Sequence, residues 1–187
     1  SLSADHVIKK LYSEKDPVIR CAMYMILYEN MLNQRISPLK LLNVFTDLLA
    51  INDDAQNVDL LLSYTETIFW RFLNQRQRES FAALLEQSLW DQLLIQKNIG
   101  VKSSVFKTYA FSAISDEAIE NLYLIWDKQL EIEGLNLSEN DYTTICFELV
   151  VKGHHKSQRI LEEQYTRISD PERKARFEFI KPALSDD

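Results

Sequence analysis

A chain of 187 residues is long enough for one domain or one continuous repeat array, and its 46% hydrophobic content supplies a sizeable core, so disorder is not the expectation. The net charge of −7, with no basic stripe of any length, argues against a nucleic-acid partner. No stretch approaches the ~20 uninterrupted apolar residues of a membrane span, so no membrane partner is expected.

The elements follow from punctuation. Pro17, Pro38 and Pro171 each come after a capping residue (Asp16, Ser37, Asp170) and open an apolar-periodic run. Proline suits a first helical position, where its missing N–H would have no partner. Gly100, Gly134 and Gly153 each follow such a run, where a left-handed terminal residue costs glycine little. Pro182 falls just past the last run. In chain order the helices are expected at about 4–13, 17–33, 38–51, 55–74, 76–97, 102–113, 116–132, 139–152, 156–168 and 171–180.

In the second helix, the run Cys21 to Tyr28 is apolar on nearly every side, which predicts an inner-layer element covered on most faces. The fourth carries a stripe of Val58, Leu61, Leu62, Thr65, Ile68, Phe69, Phe72 and Leu73 at helical spacing. Phe81, Leu84, Leu85, Leu89 and Leu93 form the stripe of the fifth, and Ile119, Leu122, Trp126 and Leu130 that of the seventh. Ser115-Asp116-Glu117 places two carboxylates at a helix start, where the dipole favours them. Ser138 with Asp141 three residues on reads as a reciprocal cap. Short connections make sequence neighbours antiparallel, and helix after helix without a long crossover gives hairpins in a row.

A loose internal repeat sharpens that architecture. Asp16-Pro17-Val18-Ile19-Arg20-Cys21-Ala22 returns as Asp170-Pro171-Glu172-Arg173-Lys174-Ala175-Arg176. Cap, proline, then basic and small residues resemble the second helix of HEAT repeats, where the aspartate caps and the arginine pairs along the stack. The expected fold is all-α: a HEAT/armadillo-like α-α superhelix of stacked antiparallel helix pairs, about ten helices, in a single helical-repeat domain over 1–187.

The chain offers little for catalysis. Its histidines are His6, His154 and His155. A zinc-binding helix needs two histidines four apart on one face. His154 and His155 are adjacent and read as a polar inter-helix turn. Cys21 and Cys146 have no ligand spacing and read as small buried hydrophobes. Asp53-Asp54, with Asp59 five residues on, could hold magnesium and a diphosphate in an all-α lyase or transferase. Its place at a helix junction makes Asp53 and Asp54 caps instead. There is no Gly-x-Ser-x-Gly turn and no glycine-rich phosphate loop. Trp70, Trp90, Trp126, Phe69, Phe72 and Tyr123 fall on the apolar stripes and read as core. Arg71, Arg76 and Arg78 at helix ends could line a groove for a carboxylate, though solvated ends explain them better, and Arg173, Lys174, Arg176 and Lys181 read as a solvated face. No catalytic, metal or cofactor-binding residue is assigned.

Several stretches carry a family likeness. They are Ile125-Trp126, then Gly134-Leu135-Asn136-Leu137-Ser138-Glu139-Asn140-Asp141-Tyr142, then the tail from Ile168 through Asp170-Pro171-Glu172-Arg173-Lys174-Ala175-Arg176-Phe177-Glu178-Phe179 to Ser185, with Leu27-Tyr28-Glu29-Asn30-Met31-Leu32 near the start. Together they resemble the C-terminal helical region of M1-family zinc aminopeptidases of the bacterial gluzincin type. The resemblance implies a non-catalytic α-superhelical part that encloses a substrate chamber and supports the catalytic domain, its partner in the same polypeptide. Peptide substrate is a partner in the full-length enzyme. The family's zinc belongs to a His-Glu-x-x-His site, and substrate to a Gly-x-Met-Glu-Asn loop; neither motif is present, so no cofactor is expected in this chain. The alternative is a freestanding HEAT-like adaptor binding a protein or peptide.

The start, Ser1-Leu2-Ser3-Ala4, has neither the basic beginning nor the apolar middle of a signal peptide, and the missing Met suggests an excised piece. Ala183-Leu184-Ser185-Asp186-Asp187 looks like the opening of another capped repeat. Truncation there predicts that Phe177, Phe179 and Ile180 are under-covered.

Overall fold

A computed structural model of the protein describes residues 4–51 and 54–184. Ten α-helices and one short 3₁₀ segment make up its regular structure, with no strand among the described residues. In order they are α1 (Ala4–Leu11), α2 (Pro17–Leu32), α3 (Pro38–Leu49), α4 (Ala55–Arg71), α5 (Gln75–Ile95), α6 (Ile99–Ser112), α7 (Asp116–Trp126), α8 (Glu139–Val151), α9 (Ser157–Arg167), α10 (Pro171–Ile180) and the 3₁₀ segment η1 (Lys181–Leu184). The all-α class holds.

Helix starts are set by side chains that satisfy the first free N–H groups. Asp16 Oδ1 accepts from Val18 N at 2.9 Å and Ile19 N at 3.4 Å, with Pro17 at the first helical position. Asp170 Oδ1 does the same for Arg173 N at 2.8 Å ahead of α10. The two copies of the weak repeat thus share one local structure. Ser138 and Asp141 cap each other at the start of α8, Asp141 N donating to Ser138 Oγ at 3.2 Å and Ser138 N to Asp141 Oδ2 at 2.8 Å. Asn74 and Gln77 make the equivalent box ahead of α5. Asp54 caps α4 through Asn57 N at 2.9 Å; Asp53 lies outside the described residues.

Helix ends depart from expectation in two places. Helix α7 stops at Trp126, six residues before the expected end. Lys128 takes φ 60°, Gln129 N bonds back to Leu124 O at 2.8 Å and Lys128 N to Ile125 O at 3.1 Å. This is the paired bonding that closes a helix through a left-handed residue, made here without glycine. Leu130 therefore leaves the α7 stripe, and Gly134 (φ 75°) sits inside the following loop rather than at a helix end. Gln34 (φ 59°) closes α2 in the same way, while Gly153 (φ 72°) closes α8 as its type suggests. Gly100 ends nothing: it lies in the first turn of α6, where Asn98 Oδ1 accepts from Gly100 N at 3.0 Å and Val101 N at 3.2 Å.

The chain divides into two compact units, residues 1–112 and 113–187. Such a division is also natural to a repeat array, since each helix pair touches only its neighbours. In the first unit α2 packs on α1, α3 and α4; α3 on α4 and α5; and α6 on α4 and α5. Contacts between helices two places apart (α2 with α4, α3 with α5, α4 with α6) put the even helices in one layer and α3 with α5 in the other. Stacked hairpins produce this alternation. Its core includes Tyr24, Phe45, Leu61, Phe69, Leu85 and Leu93, all buried. In the second unit α8 packs on α7, α9 and η1, and buries Ile145, Cys146 and Leu149.

The expected inner-layer role of α2 is corrected. Met23, Tyr24, Leu27 and Met31 are buried, but Met25 and Ile26 are 49% and 46% exposed and Val18 75%. The helix is apolar all round because two faces are apolar, and the unit covers one of them. Leu84 and Phe72 likewise leave their stripes for the surface. Of the three tail residues, Phe177 is buried against Phe147 and Tyr165, Phe179 is 85% exposed and Ile180 is half-buried.

Left-handed geometry at a residue with a Cβ costs about 1 kcal/mol, and glycine relieves it. Gln34→Gly should therefore raise the urea unfolding free energy by up to ~1 kcal/mol, and Gly153→Ala should lower it by about 1 kcal/mol. A Cβ at Gly153 meets nothing within 4 Å, so that loss is backbone strain without a clash.

Candidate functional site

The second unit holds the densest set of polar and aromatic groups. Trp126, at the end of α7, is fully buried, and its Nε1 donates to Gln164 Oε1 on α9 at 2.9 Å. Gln164 Nε2 then donates to Thr143 Oγ1 on α8 at 3.0 Å, and Thr143 Oγ1 to Glu139 O at 3.0 Å. One amide thus joins three helices. Arg167 lies 4.1 Å over the Trp126 ring and donates to Trp126 O at 2.9 Å, which closes the free end of α7 with a cation. Asp127 sits between Arg159 at 3.6 Å and Arg167 at 3.8 Å, and Glu163 takes both arginines from the other side at 2.6 and 3.5 Å. The cluster sets two arginines against two carboxylates.

His154 extends this cluster. As the second residue past the C-cap Lys152 of α8, it occupies the position that commonly makes an apolar contact in this helix ending. Its ring stacks on Tyr123 at 4.7 Å and lies tilted against His155 at 4.4 Å, and its side chain is only 3% exposed. Lys156 N donates to His154 Nδ1 at 3.2 Å, which places the neutral ring's proton on Nε2. Nε2 faces Glu120 Oε2 at 3.5 Å, a contact of opposite charges on protonation and too long for a hydrogen bond. Burial depresses the His154 pKa, opposed by Glu120, with His155 and Lys156 adding to the depression. The residue lies in the turn between α8 and α9, as the sequence suggests, but its ring is buried. His6 is on the exposed side of α1.

At the other end of the unit, Arg173 of α10 meets Glu139 of α8 at 3.0 Å, and Ser169 adds two longer bonds to the same carboxylate. The Arg173 hydrogen bond holds the Glu139 carboxyl below its ordinary pKa. Here the arginine of the Asp-Pro-x-Arg motif joins one helix pair to the next. The rest of the basic cluster is spread out: Lys174 lies 5.2 Å from the Tyr165 ring, and Arg176 is exposed.

A cleft of about 740 Å³ opens beneath the 127–138 loop, lined by Ile125, Lys128, Glu131, Glu133, Leu135 and Tyr142 among others. Lys128 Nζ lies 5.3 Å from the Tyr142 ring. The cleft offers charge and hydrogen bonding, and no histidine, cysteine or serine lines it. Cys146 is buried beside Ile160 O, and burial pushes its thiol up to about 12, far from a reactive thiolate. Both cysteines are free. Among the described residues no group of three or more His, Cys, Asp or Glu is placed to hold a metal ion. In the first unit Arg78 donates to Leu73 O at 2.5 Å and lies 5.4 Å from the Trp70 ring, held to its own turn; Arg71 and Arg76 are exposed. No described helix is long and apolar enough to cross a membrane.

No family model, no curated protein and no solved structure matches the chain. Sequence reasoning missed His154, Arg159, Arg167 and Gln164. The signal for Arg167 was present, a basic residue at a helix end followed by Asp-Pro; for Gln164 there was none, since a polar residue inside a helix reads as solvent-facing.

Gln164→Leu leaves the Trp126 N–H buried without an acceptor and should cost roughly 1–3 kcal/mol in denaturant unfolding. His154 predicts a pH effect. Its folded pKa lies below its unfolded one, so the unfolded state takes the proton first. The stability it contributes is full above the ordinary value of about 6.5 and is lost as pH falls below it. Thermal melts should show the wild-type chain losing stability from pH 7 toward pH ~5.5 more steeply than His154→Phe.

Proposed function

We propose that this chain is the non-catalytic helical-repeat part of an M1-like zinc aminopeptidase, walling a substrate chamber and supporting a catalytic domain on the same polypeptide. One observation carries the reading. Two of the stretches that bear the family likeness meet in the second unit: Glu139, from the 134–142 stretch, is bonded to Ser169 and Arg173 of the tail. A bond between two such stretches ties their residue types to each other, which supports reading the likeness as more than shared helical composition. Trp126, Glu139 and Arg173 hold helices to each other. A wall or support needs no more than this.

The division of labour is this: zinc and its activated water act in the catalytic domain, and this chain supplies shape. No residue of this chain is given a catalytic or metal-binding role. The parent enzyme would take peptides, and its zinc would be held outside this segment.

Two measurements test the proposal. The reading frame upstream of Ser1 should encode His-Glu-x-x-His and Gly-x-Met-Glu-Asn; a start codon directly before Ser1 overturns the reading in favour of a freestanding adaptor. The purified 187-residue chain should release no product from aminoacyl-p-nitroanilides with or without added zinc. Zinc-dependent hydrolysis by this chain alone overturns the assignment of chemistry elsewhere.

A further inference from the structure

Helix α2 ends the even layer of the first unit. It packs on α4, and α4 on α6, yet among the described residues no even-layer helix stacks on its other side. On that side lie Val18, Ile19, Ala22, Met25, Ile26, Glu29 and Leu32, at about 100° per residue opposite the buried Tyr24 and Leu27. Positions 18, 22, 25, 29 and 32 repeat at four and three residues, the spacing of a helix–helix seam, with Ile19 and Ile26 flanking it.

We propose that this outer face of α2 is a self-association surface, on which a second copy of the chain docks with the two α2 helices antiparallel and Met25 on the twofold axis. The inference does not rest on the aminopeptidase reading. Three features argue for a second copy. The first is self-complementarity. Antiparallel pairing about Met25 sets Val18 against Leu32 of the other copy at both ends, so large apolar residues meet in every outer layer. The single charged seam residue, Glu29, falls opposite Ala22, whose small side chain lets the glutamate stem pass and its carboxylate reach water. The second is continuity: the contact prolongs the α6–α4–α2 row into the same row of the partner by the kind of helix-on-helix packing already present. The third is area. The five large exposed residues together offer on the order of 500 Å² per copy, so full coverage in a pair removes up to about 1,000 Å², the lower bound for a specific interface. An isologous contact uses the same patch twice and closes at two copies.

Sedimentation equilibrium of the full chain over about 1–100 μM should show a reversible monomer–dimer equilibrium. Met25→Glu should raise its dissociation constant at least ~10-fold, because two carboxylates then meet on the axis. Ile26→Lys should weaken it too. Leu94→Lys, a charge on an exposed residue at the end of α5, should leave it unchanged. All three replaced side chains are exposed, and far-UV circular dichroism checks that the variants fold. In a Cys21→Ser background, Met25→Cys should cross-link to itself under mild oxidation, and Val18→Cys should not. A monomer throughout the range overturns the proposal and leaves the face to another protein or another stretch of polypeptide. Self-cross-linking of Val18→Cys, or weakening by Leu94→Lys equal to that by Met25→Glu, overturns the antiparallel α2 geometry.

Discussion

Short connections leave each helix to find its apolar cover among its nearest neighbours in sequence, and most of this structure follows from that restriction. In the first unit it produces two layers, because each helix leans on the next and on the one after it. It also fixes what is left over. Among the described residues, α2 has an even-layer neighbour on one side only, and its other side shows the face that a helix flanked on both sides would hide. The apolar outer side of α2 is that leftover face. In the second unit the same restriction acts on fewer and shorter helices. There α8 serves as the common support, and polar bridges supplement the limited apolar area.

Much of the fold could be read from the chain, for reasons visible at single residues. Asp16-Pro17, Ser37-Pro38 and Asp170-Pro171 each combine a side-chain acceptor with a preset backbone angle, and all three begin helices where they stand. Ends were less legible. Glycine was the expected marker, but Gln34 and Lys128 adopt the left-handed angle themselves, and Gly100 sits inside a helix start. Local bonding to the preceding turn outweighs residue preference at those sites, a difference of only about 1 kcal/mol. That is why α7 was read six residues too long and the 127–138 loop, with its cleft, was missed.

The polar core was hidden for a different reason. Composition tells whether a side chain is polar, not whether its partner is near. Gln164 and His154 are both buried because partners from other elements meet them: the Trp126 indole in one case, the Tyr123 ring in the other. The α2 run failed in the opposite sense. Periodicity identifies apolar faces but does not count the neighbours available to cover them, so Met25 read as core and lies outside. Both errors concern tertiary partners, which a single helix does not encode.

The first unit's pattern of contacts has a kinetic side. Its main helix–helix contacts join helices one or two places apart along the chain, so native contacts close small loops and the search for them is short. With helix starts fixed by side chains adjacent in sequence, several hairpins can serve equally as the seed from which ordering spreads. No distant strand has to arrive before the first contacts gain support. A lesion in one hairpin should accordingly slow or loosen its own neighbourhood, while the far side of the unit still assembles.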